Sequence, residues 1–125
     1  MEFIFDDTRK KMEQHAWYKV FPGAMTVTNA KGEIIEMNDA SAEMFKKDGG
    51  YQLIGGNAIA CHKEPSLSKV RKLYATHSFN VYSITKNGKK KLVYQAPYFV
   101  DGDFSGLVEL VLDLPDEIPH YDRDK

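Results

Sequence analysis

Apolar residues recur along this chain with two different periods, and the breaks between them fall at proline, glycine and asparagine. Met12, Ala16 and Val20 repeat every four positions with Trp17 beside them, on an otherwise polar segment. Asp6 and Asp7 stand at its start, where carboxylates favour the helix dipole, each four residues before a lysine (Lys10, Lys11). This predicts a helix over 6–20, stopped by Pro22-Gly23. Ala24-Met25-Thr26-Val27-Thr28 then alternates as a strand should. Asn29-Ala30-Lys31-Gly32 reads as a turn, and Glu33 to Met37 as a second strand. Asn38 and Asp39 are good N-caps for a short helix reaching Phe45. Asp48-Gly49-Gly50 breaks it, and Tyr51 to Ile54 fits one more helical turn before Gly55-Gly56.

Residues 57–65 have no clear period and contain Cys61 and His62. A longer helix starts at Pro65-Ser66, with Leu67, Val70, Leu73 and Tyr74 on one side and Lys69, Arg71 and Lys72 largely opposite. Three strands follow. Phe79–Lys86 and Lys90–Val100 flank Asn87-Gly88, the strongest short hairpin signal. Asp101-Gly102-Asp103 turns the chain into Ser105–Leu114, where Val108, Leu110 and Leu112 alternate with Glu109, Val111 and Asp113. Pro97 predicts a bulge or break, because proline is excluded from regular central ladders. The chain thus divides into an N-terminal helix (1–22), one domain (23–115) and a polar tail (116–125) in which Ile118 and Tyr121 are the residues able to dock. Strands followed by hairpins, with helices between, suggest an α+β layout with helices on one face of a mixed or antiparallel sheet.

Composition narrows the function. At 125 residues and 42% hydrophobic, the chain is long enough for one domain with a real core. A net charge of −1 gives no global drive toward nucleic acid or an anionic membrane, and Lys89-Lys90-Lys91 reads as a solvated hairpin tip. Direct nucleic-acid binding and membrane insertion are therefore not expected. One cysteine excludes an intramolecular disulfide, and the acidic N-terminus is not a signal peptide, so a cytoplasmic protein is expected. His15, His77 and His120 share no ligand spacing, so no metal site is expected. Cys61 and His62 are adjacent. On an extended segment they point opposite ways and make no nucleophile–base pair, so no enzyme is expected.

With these residues in view, the chain resembles the PAS sensor-domain family. The resemblance lies in FPGAMTVTNAKGEIIEMNDASAEMF (21–45), YQLIGGN (51–57) and the strand triplet from Phe79 to Leu114. Gly32 and Asn38 fall where that family has its turn glycine and helix-capping asparagine, and Leu53-Ile54-Gly55 matches its Leu-Ile-Gly step. The resemblance implies a five-stranded antiparallel sheet with short helices on one face, enclosing a small pocket. It also implies an N-terminal helix that pairs with that of a second copy. Asn57 to Val70 further resembles a Cys-His-Pro-type segment of PAS domains from anaerobic bacteria, some of them stand-alone; here Lys63-Glu64 intervene before Pro65. The start at Met1 is read as that of a small stand-alone protein.

Two PAS cofactor types can be compared residue by residue. Flavin photosensors carry Gly-x-Asn-Cys, whereas Gly55-Gly56-Asn57 is followed here by Ala58, so a covalent flavin is not expected. Haem sensors carry an axial histidine on the long helix, and the matching position is near Val70, which cannot bind iron. Cys61 and His62, two possible haem ligands, are the nearest substitutes. The other reading makes Cys61 a packed core residue and His62 a surface or capping one. The expected cavity lining is Met25, Met37, Met44, Phe45, Cys61, His62, Leu73, Tyr74, Tyr82, Tyr94 and Tyr98, in which methionines adapt to a ligand and tyrosines add hydroxyls to apolar walls. A closed core without ligand uses the same residues. Met12, Ala16, Trp17 and Val20 are the expected homodimer interface. Two functions follow. In one, the module binds a small molecule or cofactor and relays its state to a downstream signalling protein. In the other, it is a ligand-free interaction module.

Overall fold

The computed structural model describes residues 16–125. Helix α1 (Ala16–Val20) is the described end of the expected N-terminal helix; Met12 and residues 6–15 lie outside the described residues. Strands β1 (Ala24–Thr28) and β2 (Ile34–Met37) follow, then α2 (Asp39–Met44), two 3-10 turns at Lys46–Asp48 and Gly50–Leu53, and α3 (Ser66–Thr76). Strands β3 (Asn80–Lys86), β4 (Lys89–Val100) and β5 (Asp103–Asp113) complete the order.

The strands form one five-stranded antiparallel sheet in the order β2-β1-β5-β4-β3. Local chemistry sets the turns. Asn87 (φ 53°) and Gly88 (φ 77°) form a two-residue hairpin closed by Lys86 opposite Lys89. Positive φ at both central positions is what a type I′ turn needs. Asp101 (φ 52°) and Gly102 (φ 85°) repeat the device between Val100 and Asp103, so β5 starts two residues earlier than the sequence suggests. In the β1–β2 turn, Asn29 Oδ1 accepts from the Lys31 and Glu33 amides at 3.0 Å each.

Pro97 does not break β4. It pairs opposite Leu107, and the register shift comes one step later, between Tyr98 and Phe99. The reason is positional: β3 pairs with β4 only as far as Gln95, so Pro97 lies where β4 has become an edge.

Both longer helices pack on one face. The Ser41 hydroxyl of α2 meets that of Thr26 at 2.6 Å, and the Tyr74 hydroxyl of α3 meets that of Thr28 at 2.5 Å. Glu64 starts α3 by accepting from the Ser68 amide at 2.7 Å. His77, in the left-handed region at φ 53°, ends it and stacks on Phe104. Ala24, Val93 and Val111 form a small buried cluster against which Ala40, Met44 and Ile84 pack. Residues 115–125 carry no helix or strand, and Ile118 and Tyr121 are exposed rather than docked. Among the described residues no helix is long and apolar enough to cross a membrane.

Candidate functional site

The helices do not close onto the sheet everywhere. Between its inner face, α2, α3 and the segment at 45–62 lies a cavity of about 720 Å³. That is within the range of small-molecule sites. Its walls are mostly apolar, with Ile34, Met37, Met44, Phe45, Leu53 and Leu73 among them.

Its floor is not apolar. One cross-strand row runs over all five strands through Met37, Thr26, Glu109, Gln95 and Asn80. The neighbouring row on the same face is Ala24, Val111, Val93 and Tyr82. Four of the five side chains in the central row are polar, and three of them are chained together. Asn80 Nδ2 donates to Gln95 Oε1 at 2.8 Å, and Gln95 Nε2 donates to Glu109 Oε2 at 2.8 Å. Gln95 is buried; Glu109 is half-buried and borders the cavity. Burial pushes the Tyr74 and Tyr82 phenols above their ordinary value, and the Glu109 charge adds to this. Both hydroxyls therefore stay protonated at neutral pH and can donate.

His62 borders the cavity from the facing segment. Its Nδ1 lies 2.6 Å from the Ala58 carbonyl oxygen, which can only accept, so Nδ1 carries a proton and Nε2 is the acceptor of the neutral ring. Cys61 is exposed and lies at the rim. No group of three or more His, Cys, Asp or Glu converges on a metal position among the described residues.

A five-stranded antiparallel sheet in this order, with short helices and a cavity on its inner face, decides the fold. It is that of a PAS domain. A C-terminal domain of a protein from Streptococcus mutans is similar, with a TM-score of 0.66 and 24% identity over 82% of this chain and 84% of that one. The PAS domain of an HTR-like protein from Haloarcula marismortui gives 0.61 at 13% identity, over 86% and 93%. The Aer2 receptor of Vibrio cholerae, a dual PAS–haem oxygen sensor, gives 0.56 at 13% identity, over 74% and 95%. No family model matches the chain, and neither does any curated protein.

Within this PAS fold, Met37, Met44, Phe45, Cys61, His62, Leu73, Tyr74 and Tyr82 all border the cavity. Met25, Tyr94 and Tyr98 do not. Met25 and Tyr94 both pair with Leu110, one step out of phase with the row through Thr26, Glu109 and Gln95, so they lie on the outer face. Tyr98 donates its hydroxyl to the Thr28 carbonyl at 2.9 Å, at the β1–β5 seam. The exposure of Cys61 removes the reading of it as a packed core residue. Sequence reasoning missed Thr26, Thr28, Gln95 and Glu109. The available signal was Gln95 and Glu109, two lone polar residues inside otherwise apolar strands.

Proposed function

We propose that this chain is a signal-sensing PAS module that binds a small organic molecule in the cavity under its sheet. The observation that carries the reading is the polar row on the cavity floor. A closed interaction module gains nothing from a glutamate turned toward its interior, where an ionised group with no opposite charge beside it is unfavourable. Native mass spectrometry and a thermal screen of metabolites, flavins and haem test this. A ligand at 100 times its Kd adds about 2.7 kcal/mol of stability. A protein that carries nothing when purified, and that no compound stabilises, would be the ligand-free interaction module instead.

Haem is a second reading, favoured by His62. An imidazole whose Nδ1 proton is held by a carbonyl presents Nε2 as a metal-ligating nitrogen usually does. Cys61, Met37 and Met44 are the other lining side chains with donors that iron accepts. Bound haem would supply a redox-active, gas-binding iron. The haem arm of the screen includes His62→Ala: a Soret band present in wild type and changed in that variant supports ligation by His62, and one that is identical in both removes it.

The relay is proposed to run through a homodimer or a partner protein at α1. Trp17 is 67% and Val20 69% exposed, large apolar side chains on adjacent helical turns. Light scattering of the intact chain is expected to give a dimer at micromolar concentration, and Trp17→Glu a monomer. A monomeric wild type sinks the homodimer and leaves the partner protein.

A further inference from the structure

The cavity floor states what it would bind. Glu109 Oε2 is occupied by the Gln95 amide, while Oε1 has no hydrogen-bond partner among the described residues. No described ion pair reaches Glu109 either; those present join Lys46 to Glu43, Lys91 to Asp113 and Lys125 to Asp122.

The other charged lining groups are placed away from it. Lys91 lies four residues from Gln95 along β4, about 13 Å by strand rise, and its Nζ is held 2.5 Å from Asp113. Lys86 is at the hairpin end of β3, opposite Lys89. Asp48 is in a 3-10 turn across the cavity and adds negative charge, and His62 faces the cavity with an acceptor nitrogen. In its cross-strand row Glu109 is flanked by Gln95 and Thr26, and the phenols of Tyr74 and Tyr82 feel its charge.

Asn80 and Gln95 do more than fill space. Their amides form a directed relay that ends on one carboxylate oxygen of Glu109, a residue that borders the cavity, and restrains that carboxylate while leaving its second oxygen unoccupied. Such positioning by packed neighbours is what makes a polar group in an apolar pocket select for a ligand.

Resting on the reading of the cavity as a ligand site, we propose that its ligand carries a protonated nitrogen (an amine, amidine or guanidine) that donates to Glu109 Oε1, with its carbon skeleton against Met37, Met44 and Phe45. A charge-assisted bond of this kind is roughly twice as strong as a neutral one. The tyrosine rings add an electron-rich surface that suits a cation. Carboxylate ligands are disfavoured, because they would face Glu109 across a low-dielectric space.

A set of size-matched arylalkyl amines, alcohols and carboxylates, titrated against the full chain at pH 7 by ligand-observed NMR, tests this. In wild type the amines are expected to bind about tenfold more tightly than the matched alcohols, and the carboxylates least. Glu109→Gln keeps an oxygen for Gln95 but removes the charge. In that variant the amine advantage over the matched alcohols should vanish, with amine affinity falling about tenfold. Its unliganded Tm should equal or exceed that of wild type, because no described ion pair balances the charge it removes while the Gln95 bond is kept. Carboxylates binding as well as amines, an amine preference that survives in Glu109→Gln, or a marked fall in its Tm would each overturn the proposal. If the alcohols bind and the amines gain nothing, the nitrogen assignment fails and the cavity reading stands. If no member of the set binds, both fall.

Discussion

Replacing Asn38 with alanine is expected to destabilise the folded protein by about 4 kcal/mol, since each buried polar group left without a partner costs roughly 1–3 kcal/mol. Asn38 is fully buried and its amide is saturated. Oδ1 accepts from the Ser41 amide at 3.0 Å, as the N-cap of α2, and from the Met25 amide at 2.9 Å, in β1. Nδ2 donates to the carbonyls of Gly23 at 2.9 Å and Tyr18 at 3.0 Å. One side chain thus joins α1, the turn after it, β1 and α2. Alanine would strand two amides and two carbonyls, and also remove a cap worth about 1 kcal/mol. Asn38→Asp separates the parts: it keeps the cap and loses both donors, while bringing a charge against two carbonyl oxygens. Urea denaturation of the three proteins is the measurement. An Asn38→Ala midpoint within error of wild type would show that water replaces these bonds.

The same residue links the cavity to α1. Thr26, beside Glu109 in the polar row, meets Ser41; the Ser41 amide donates to Asn38; Asn38 donates to Tyr18. A ligand that shifted Thr26 would act on one end of this path, and Trp17 sits at the other. Contiguity alone is not coupling; what carries a signal is an element with two arrangements whose balance a ligand changes through unequal affinity.

Much of this fold is legible in the sequence where local chemistry leaves no choice. Asn87-Gly88 demands a type I′ hairpin. Asn38 before a helical run demands a cap, and Pro22-Gly23 ends a helix. What could not be read is which face of each strand looks inward. In β5 the set Val108, Leu110, Leu112 is more apolar than Leu107, Glu109, Val111, yet the set containing the glutamate faces the cavity. Hydrophobicity assigns the apolar set to the core because packing usually decides. Here the outer face is apolar as well, with Met25, Val27 and Tyr94 half-buried. The inner face must serve a cavity as well as the small packed cluster of Ala24, Val93 and Val111. The same inversion explains Met25 and Tyr94: their chemistry suits a pocket, but strand phase puts them on the other face. The irregularity expected at Pro97 falls one step later, between Tyr98 and Phe99, for a different reason. Whether a strand position is central or at an edge depends on how far the neighbouring strand extends, and β3 stops pairing at Gln95.

Gly106→Ala is expected to be as damaging as the loss of Asn38. Gly106 sits opposite Tyr98 near the start of β5, with φ 145°, a conformation that L side chains rarely adopt. A Cβ there would lie 1.9 Å from the Thr28 carbonyl oxygen and 2.7 Å from its carbon. Both are backbone atoms of β1, so no rotamer change relieves the contact, and the β1–β5 seam must open. That seam also holds Thr28, whose carbonyl accepts from Tyr98 and whose hydroxyl pairs with Tyr74 of α3. Opening it loosens one strand and one helix together. The expected penalty is about 4 kcal/mol, at the upper end for a point substitution, which for a domain of this size lowers Tm by about 15 °C. Gly55→Ala is the control. Gly55 also has positive φ, at 97°, but no atom lies within 4 Å of its would-be Cβ. It should therefore show backbone strain alone, about 1–2 kcal/mol. Thermal melts of the two variants side by side measure the difference. Equal losses would mean that the seam gives way without resistance and that Gly106 is needed only for its φ.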